Sequence, residues 1–281
     1  MPDVGPTTVL PRRPLTVGEL LDSAVLLLRA QGRLLLPPAV LLATGEQLLL
    51  LPLRRLADAV PPIWWDDNGS VPAWWLLLAV GAATEAVIVL LLGNPAARAA
   101  GTALLGRRAG VRELLRPAGA RWGATLLLAP VVGLLMLLAA LLGPVWLVGY
   151  GLLGSVAAAL VLDRVSGPAA VGRAARLALR GRAGAVRVLG YLGWWVLRVG
   201  LALGVFFGVE SLGLVDLADP TVRVGAAMLV WGAVNSVAYP ALACLDAVIH
   251  LDTRMRTEGL DIRLARTPAG LAAHALSVAG R

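Results

Sequence analysis

Residues 188–209 form an apolar stretch with one charged residue, Arg198. Three other polar side chains, Glu46, Glu85 and Asn235, occur inside apolar stretches of similar length. An arginine and a carboxylate in such surroundings can neutralise each other, and the same groups can bind an ion, transfer a proton or hold a lipid headgroup. Their chemistry therefore depends on the elements that carry them.

The composition indicates that these elements lie in a lipid bilayer. Of the 281 residues, 58% are hydrophobic and 15% are charged, and the mean hydropathy is +0.80. Soluble domains are about half apolar and about a quarter charged. We therefore predict an all-α fold, a polytopic membrane bundle of six transmembrane helices in three hairpins with cytoplasmic amphipathic helices.

Each predicted span has about the 20 apolar residues that a helix needs to cross a bilayer. The uncharged stretch 123–162 is long enough for two spans, and Gly143 and Pro144 mark the turn between them. The six predicted spans are residues 34–53, 73–92, 123–142, 145–162, 188–209 and 224–245.

The spans place the four polar residues at similar depth. Counted from the predicted cytoplasmic ends at 1.5 Å per residue, Arg198 and Asn235 lie about 16 Å deep, Glu85 about 12 Å and Glu46 about 19 Å. Because an isolated charge near the midplane is costly, we expect Arg198 to face the bundle interior and pair with a carboxylate. Glu85 is the first choice of partner and Glu46 the second.

Three glycines follow Arg198 on the same predicted helix. Gly200, Gly204 and Gly208 are spaced four residues apart, the pattern that allows another helix to pack closely in a membrane. This pattern predicts that the helix is buried on two sides.

The distribution of arginine predicts the orientation in the membrane. All 25 basic residues are arginine, and most fall in segments on the side of the N-terminus. The positive-inside rule then places both termini in the cytoplasm of a cell whose plasma membrane holds the protein. Four tryptophans suit the opposite interface, namely Trp64, Trp65, Trp74 and Trp75.

These assignments divide the chain into three parts. They are a cytoplasmic N-terminus (1–33), a membrane domain (34–250) and a cytoplasmic C-terminal tail (251–281). Residues 16–30 have the periodicity of an amphipathic helix lying in the membrane interface, begun by a capping box of Thr16 and Glu19. Weaker amphipathic stretches at 111–121 and 171–187 precede the second and third hairpins.

Three segments carry a family resemblance. They are "RPLTVGELLDSAVLLLR" at 13–29, "GPAAVGRAARLALRGRAGAVRVLG" at 167–190 and "LDTRMRTEGLDIRLA" at 251–265. They resemble actinobacterial multi-pass membrane proteins that are grouped with the membrane domain of glycerophosphodiester phosphodiesterases. In similar sequences a Glu commonly stands at the position of Asp163 and a Tyr at that of His250. The resemblance implies a six-helix membrane protein, without the His, Glu and carboxylate pattern of the catalytic domain.

No catalytic constellation stands out elsewhere. Asp246 and His250, four residues apart, could share a metal, but no third ligand is visible, and a capping or hydrogen-bonded surface pair is the better interpretation. We therefore expect neither enzymatic activity, nor a metal, nor a cofactor. Despite a pI near 11.2, we expect no nucleic-acid binding, because the chain lacks a folded basic module. The expected partners are the lipid bilayer, including anionic lipids, and a membrane or cytosolic protein.

Three functions remain open. The sequence favours a non-enzymatic accessory or scaffolding protein of the bacterial cell envelope. The first alternative is a small transporter or lipid-handling protein that uses the layer of Glu46, Glu85, Arg198 and Asn235, which predicts an internal cavity at that depth. The second is a membrane anchor associated with a separate phosphodiesterase.

Overall fold

The computed structural model describes residues 10–59, 70–117, 119–214 and 216–277. All regular secondary structure in these ranges is helical, which confirms the predicted all-α fold. Trp64 and Trp65 lie outside the described residues.

Eleven α-helices and one 3₁₀ turn make up the described part of the chain. The α-helices are α1 (Val17–Leu56), α2 (Val71–Leu104), α3 (Val111–Leu115), α4 (Trp122–Leu141), α5 (Val145–Leu153), α6 (Val156–Leu162), α7 (Gly167–Leu179), α8 (Ala183–Ser211), α9 (Pro220–Glu258), α10 (Leu260–Arg266) and α11 (Ala272–Ser277), and the 3₁₀ turn is Ala269–Leu271.

Six helical units are long and apolar enough to cross a membrane: α1, α2, α4, the 18-residue segment formed by α5 and α6, α8 and α9. Each contains one predicted span, except that α4 ends one residue before the predicted span 123–142 does. The two members of each predicted hairpin pack against each other, and α2 also contacts α6 and α9. The chain is therefore a polytopic helix bundle with α2 and α9 near its centre.

The predicted boundary between an interfacial helix at 16–30 and a first span at 34–53 is not a break in the structure. Both belong to α1, which begins with the predicted capping box: the Thr16 amide donates to Glu19 Oε2 at 2.7 Å, and the Glu19 amide donates to Thr16 Oγ1 at 3.3 Å. Pro37 and Pro38 lie inside this helix. A proline removes one backbone hydrogen bond and bends a helix, but the helix can continue beyond it.

α1 is not straight and parallel to α9 over its whole length. α1 contacts α9 where Tyr239 donates to Glu46, and the residues just before α1 contact it again where Asp252 accepts the Leu15 amide. From Val17 to Glu46, α1 has a helical length of about 44 Å, whereas α9 covers about 20 Å from Tyr239 to Asp252. α1 must therefore bend or cross α9 at an angle between these contacts, and Pro37 and Pro38 lie in this part of the helix.

The predicted boundary at residues 250 and 251 is also not a break. α9 continues through it to Glu258, and Leu251, Met255 and Arg254 are buried. Arg254 Nη1 donates to the carbonyl of Leu276 at 2.7 Å, which holds α11 against the bundle. The predicted C-terminal tail is thus folded onto the membrane domain as far as Ser277.

The two weaker amphipathic stretches form different elements from those predicted. Within 111–121, only Val111–Leu115 is helical. The stretch 171–187 is divided between α7 and α8, because the chain turns at Gly181, whose φ of +70° suits glycine.

The predicted packing at Gly200, Gly204 and Gly208 is wrong within this chain. A Cβ atom added at any of the three would meet no described atom within 4 Å. The opposite face of α8 points inward instead, with Tyr191, Arg198 and others buried. Arg198 is buried on the inward face of α8, and the three glycines lie on the opposite face, so they point outward.

Candidate functional site

Four helices bring the predicted polar layer together. Glu46 comes from α1, Glu85 from α2, Arg198 from α8 and Asn235 from α9, and each is only 5% or 6% exposed. Arg198 Nη1 donates to Glu85 Oε2 at 3.1 Å. The first-choice partner of Arg198 therefore contacts it, and the second choice does not.

Glu46 has a separate set of hydrogen-bond donors. The Tyr239 hydroxyl donates to Glu46 Oε2 at 2.5 Å, and Asn235 Nδ2 donates to the same oxygen at 3.3 Å. Thr84 Oγ1 donates to Glu46 Oε1 at 2.8 Å. Three side chains from two helices, α2 and α9, thus satisfy one buried carboxylate of α1, as buried polar groups require.

The three tyrosines of the chain all join this layer. The rings of Tyr150 and Tyr191 stack with their centroids 3.8 Å apart. Arg198 Cζ lies 5.9 Å from the centroid of Tyr191 and 5.7 Å from that of Tyr239, within the range of cation–π attraction. The sequence analysis missed these tyrosines, although their confinement to apolar stretches was a usable signal.

A cavity of about 390 Å³ opens onto the layer. It extends from Glu85 to Trp75 along α2, a distance of about 15 Å, or half of the roughly 30 Å hydrocarbon core. Its mouth includes Leu78 and Trp195, whose exposed fractions are 44% and 46%. The walls include Glu46, Gln47, Arg54, Trp75, Leu78, Gly81, Glu85, Tyr191, Trp195, Arg198, Trp231, Asn235 and Tyr239.

Several polar atoms at the cavity lack a hydrogen-bond partner among the described residues. They are Arg198 Nε, Asn235 Oδ1, Trp231 Nε1 and Glu85 Oε1. The side chains of Arg198, Asn235 and Glu85 are more than nine-tenths buried. A buried polar atom without a partner is costly, so a molecule that supplied donors and acceptors here would be stabilised.

A second polar cluster lies at the predicted cytoplasmic end of the bundle. Arg173 Nε donates to Asp163 Oδ2 at 2.7 Å, and Arg254 Nη1 lies 2.8 Å from Asp163 Oδ1. Glu258 pairs with the same arginines, its oxygens lying 2.6 Å from Arg173 Nη2 and 3.1 Å from Arg254 Nε. Burial would raise the pKa of Asp163, but its interactions with His250, Arg254 and Arg173 lower it below its usual value.

Asp246 and His250 do not form the predicted hydrogen-bonded pair. Asp246 Oδ1 accepts a hydrogen bond from Arg187 Nε at 2.5 Å, whereas His250 Nε2 lies 3.2 Å from Asp163 Oδ1. The glycine at position 154 leaves room for the contact between Arg187 and Asp246. A Cβ there would lie 2.5 Å from Arg187 Cδ and 2.6 Å from Asp246 Oδ1. His250 therefore contacts Asp163, and Asp246 pairs with Arg187.

No group of three or more His, Cys, Asp and Glu side chains in the described ranges is arranged to hold a metal ion. Arginines instead pair with the carboxylates of Asp163, Glu258 and Glu85. The described residues of these two clusters can therefore form hydrogen bonds and ion pairs in an apolar setting.

These features define the class: an all-α polytopic bundle with six helices able to cross a membrane and a buried polar layer that borders a cavity. Comparison of the chain with protein-family models, with curated proteins and with solved structures finds no match in any of the three.

Proposed function

We propose that the protein is a lipid-handling membrane protein that binds the polar head of an amphiphilic molecule in the Arg198 cavity. The observation that supports this proposal is the cavity itself, which reaches the level of Glu85 and Arg198. An internal cavity at that depth is what the transporter or lipid-handling hypothesis predicts. The accessory hypothesis requires no such cavity.

The charges of the cavity favour a head without net charge. Its walls include two arginines, Arg54 and Arg198, and two glutamates, Glu46 and Glu85. When all four groups are ionised, their charges sum to zero. A zwitterionic or polar uncharged head could use the donors and acceptors of the layer without adding a buried net charge, which would be costly.

The dimensions of the cavity favour a molecule that enters only in part. A volume of about 390 Å³ lies at the small end of ligand sites, which span about 300 to 1,000 Å³. It can hold a headgroup but not two acyl chains. Because the mouth between Leu78 and Trp195 is apolar and exposed, the chains would remain in the surrounding bilayer.

The proposal includes a location and an orientation. The protein would lie in the bacterial cell membrane with both termini in the cytoplasm, as the arginine distribution indicates. In this orientation the C-terminal end of α1 lies on the outer side of the membrane. The cavity extends from the polar layer around Arg198 towards that end, so it would lie in the outer leaflet. The proposed role is binding and not catalysis.

Filling the cavity tests the proposal. Gly81 lines the cavity, and the nearest described atom to a Cβ added there is Leu50 Cδ1 at 3.9 Å. Gly81→Phe should therefore fold and occupy the space of the ligand. The matched control is Gly204→Phe, since Gly204 is exposed on α8 with no atom nearby.

Native mass spectrometry of the purified protein with phosphatidylethanolamine as the probe gives the readout. We expect the wild type and Gly204→Phe to retain one lipid molecule after detergent exchange and Gly81→Phe to retain at least about tenfold less, a difference of about 1.4 kcal/mol. Equal retention by all three proteins would overturn the proposal and favour the accessory function.

A further inference from the structure

An apolar groove runs along the outside of the bundle between α1, α8 and α9, separate from the Arg198 cavity. Its volume is about 360 Å³. Val17 and Val25 of α1 lie on one side and Leu189 and Leu197 of α8 on the other, and all four side chains are exposed. A surface of this kind suits a hydrocarbon chain.

The groove ends beside three arginines. Leu20 and Val186 line both the groove and an adjoining depression of about 30 Å³. The depression is also lined by Arg180, Arg182 and Arg256, with Asp252 the single acidic residue among its described lining residues. The end of the groove therefore has a net positive charge.

Two of these arginines are held in place by the backbone of the N-terminal segment. Arg182 and Arg256 both donate to the carbonyl oxygen of Leu15. Asp252 accepts the Leu15 amide at 2.7 Å and Arg256 Nε at 2.9 Å. These bonds use one donor of Arg182 and two of Arg256, and each guanidinium has five N–H groups, so donors remain for an anion.

The start of α8 adds to the positive potential. Ala183, the first residue of this 29-residue helix, lines the depression, and the N-cap residue Arg182 makes no side-chain capping bond. The first amides of a helix attract anions such as phosphate. Arg180 is exposed beside them.

The length of the groove fits one leaflet. Val186 and Leu197 mark its extent along α8, which is about 17 Å at 1.5 Å per residue. Half of a hydrocarbon core is about 15 Å thick. An acyl chain in the groove would thus begin at headgroup depth, beside the arginines, and end near the level of Arg198.

We infer that this groove binds an acidic phospholipid of the surrounding bilayer, with an acyl chain between α1 and α8 and the phosphate beside Arg180, Arg182 and Arg256. The apolar groove and the cationic depression adjoin each other at Leu20 and Val186, which favours a lipid over a soluble anion. The site is independent of the proposed function, because it shares no lining residue with the Arg198 cavity.

Charge substitutions test the headgroup end of the site. In native mass spectrometry, the wild type should retain phosphatidylglycerol in preference to phosphatidylcholine with the same acyl chains. Arg180→Gln with Arg182→Gln should bind phosphatidylglycerol about thirtyfold more weakly, at about 1 kcal/mol for each arginine. Arg180→Gln alone should weaken phosphatidylglycerol binding about fivefold. Because Arg180 is exposed and does not contact Leu15, this single variant keeps the test valid if the double variant fails to fold.

The matched control for charge is Arg108→Gln with Arg112→Gln, which removes two exposed arginines on the same predicted side of the membrane. It should leave the lipid preference unchanged. Equal loss in both double variants would indicate a diffuse attraction to the whole basic surface and would overturn the site.

Blocking the groove tests the acyl-chain end. Gly193 lines the groove, and a Cβ there would meet no described atom within 4 Å. Gly193→Phe should weaken phosphatidylglycerol retention about tenfold, whereas Gly204→Phe, an exposed position on the same helix about 11 Å beyond the end of the groove at Leu197, should not. Unchanged retention in Gly193→Phe, together with displacement of the lipid by inorganic phosphate, would assign the arginines to a soluble anion and overturn the inference.

Discussion

At the residue scale, the Arg198 guanidinium and the Glu85 carboxylate depend on each other. Both are buried, and their contact of 3.1 Å joins α8 to α2. Either group alone would be a buried charge without compensation, whereas removing both leaves a neutral site. The rings of Tyr191 and Tyr239 hold the guanidinium in place.

This dependence predicts strong coupling between Arg198 and Glu85. Each single variant, Arg198→Gln or Glu85→Gln, should lower the free energy of unfolding in detergent by about 3 to 5 kcal/mol. The double variant should lose much less than the two single losses together. A thermodynamic cycle of unfolding free energies checks this, and additive losses would contradict the pairing.

Asp163 gives the fold a dependence on pH. Its pKa is lowered in the folded protein, because the nearby positive charges outweigh its burial. A group with a lowered folded pKa stabilises the protein above its unfolded pKa of about 3.9, and the contribution is lost as the pH falls through the folded pKa.

The stability difference between the wild type and Asp163→Asn should follow this dependence. The unfolding free energy of the wild type should exceed that of the variant by about 3 kcal/mol at pH 7. The difference should shrink once the pH drops below about 4. Unfolding measured across this pH range checks the prediction, and a difference that does not change with pH would contradict it.

At the scale of elements, Gly154 allows close packing at the junction of α5 and α6. Gly154 lies at this junction, and the Arg187 and Asp246 side chains occupy the space that a Cβ would need. Gly154→Ala should therefore lower the free energy of unfolding by about 1 to 3 kcal/mol through overpacking. The control is Gly200→Ala on the exposed face of α8, where alanine should be neutral or stabilising by up to about 1 kcal/mol. Equal effects of the two substitutions would contradict the close packing at Gly154.

Hydropathy alone predicts the six membrane helices, since a span needs a long apolar run and the chain contains such runs at those places. It does not predict where the helices end. Beyond Leu162 and His250 the sequence turns polar as a surface would, yet Asp163, Arg173 and Arg254 are buried because they neutralise one another. Charge pairing between distant segments leaves no mark on local hydropathy.

The candidate site is predictable to a similar degree. Depth counting brings Arg198, Glu85, Glu46 and Asn235 to one level, because helices have a fixed rise. The sequence leaves open whether the cavity exists, because only one of the three functions requires it and its presence depends on how helices pack in three dimensions. The glycine spacing on α8 was misleading, because it describes a surface that permits close packing and does not supply a second helix.

At the scale of the whole molecule, the orientation is open to a direct test. Cys244 is the single cysteine of the chain and is buried, so a membrane-impermeant thiol reagent should label only an introduced cysteine. Asp216→Cys, between α8 and α9, should be labelled from outside intact cells, and Arg108→Cys only after the cells are opened. The reverse pattern would contradict the orientation that the arginines predict.

The central claim is that the cavity beside Arg198 and Glu85 receives the polar head of an amphiphile. A crystal structure of the protein grown in a lipidic mesophase with phosphatidylethanolamine tests this most directly. The account predicts elongated density that enters between Leu78 and Trp195 and ends within hydrogen-bonding distance of Asn235 or Trp231. A cavity filled by the protein's own side chains, or holding only water, would contradict it.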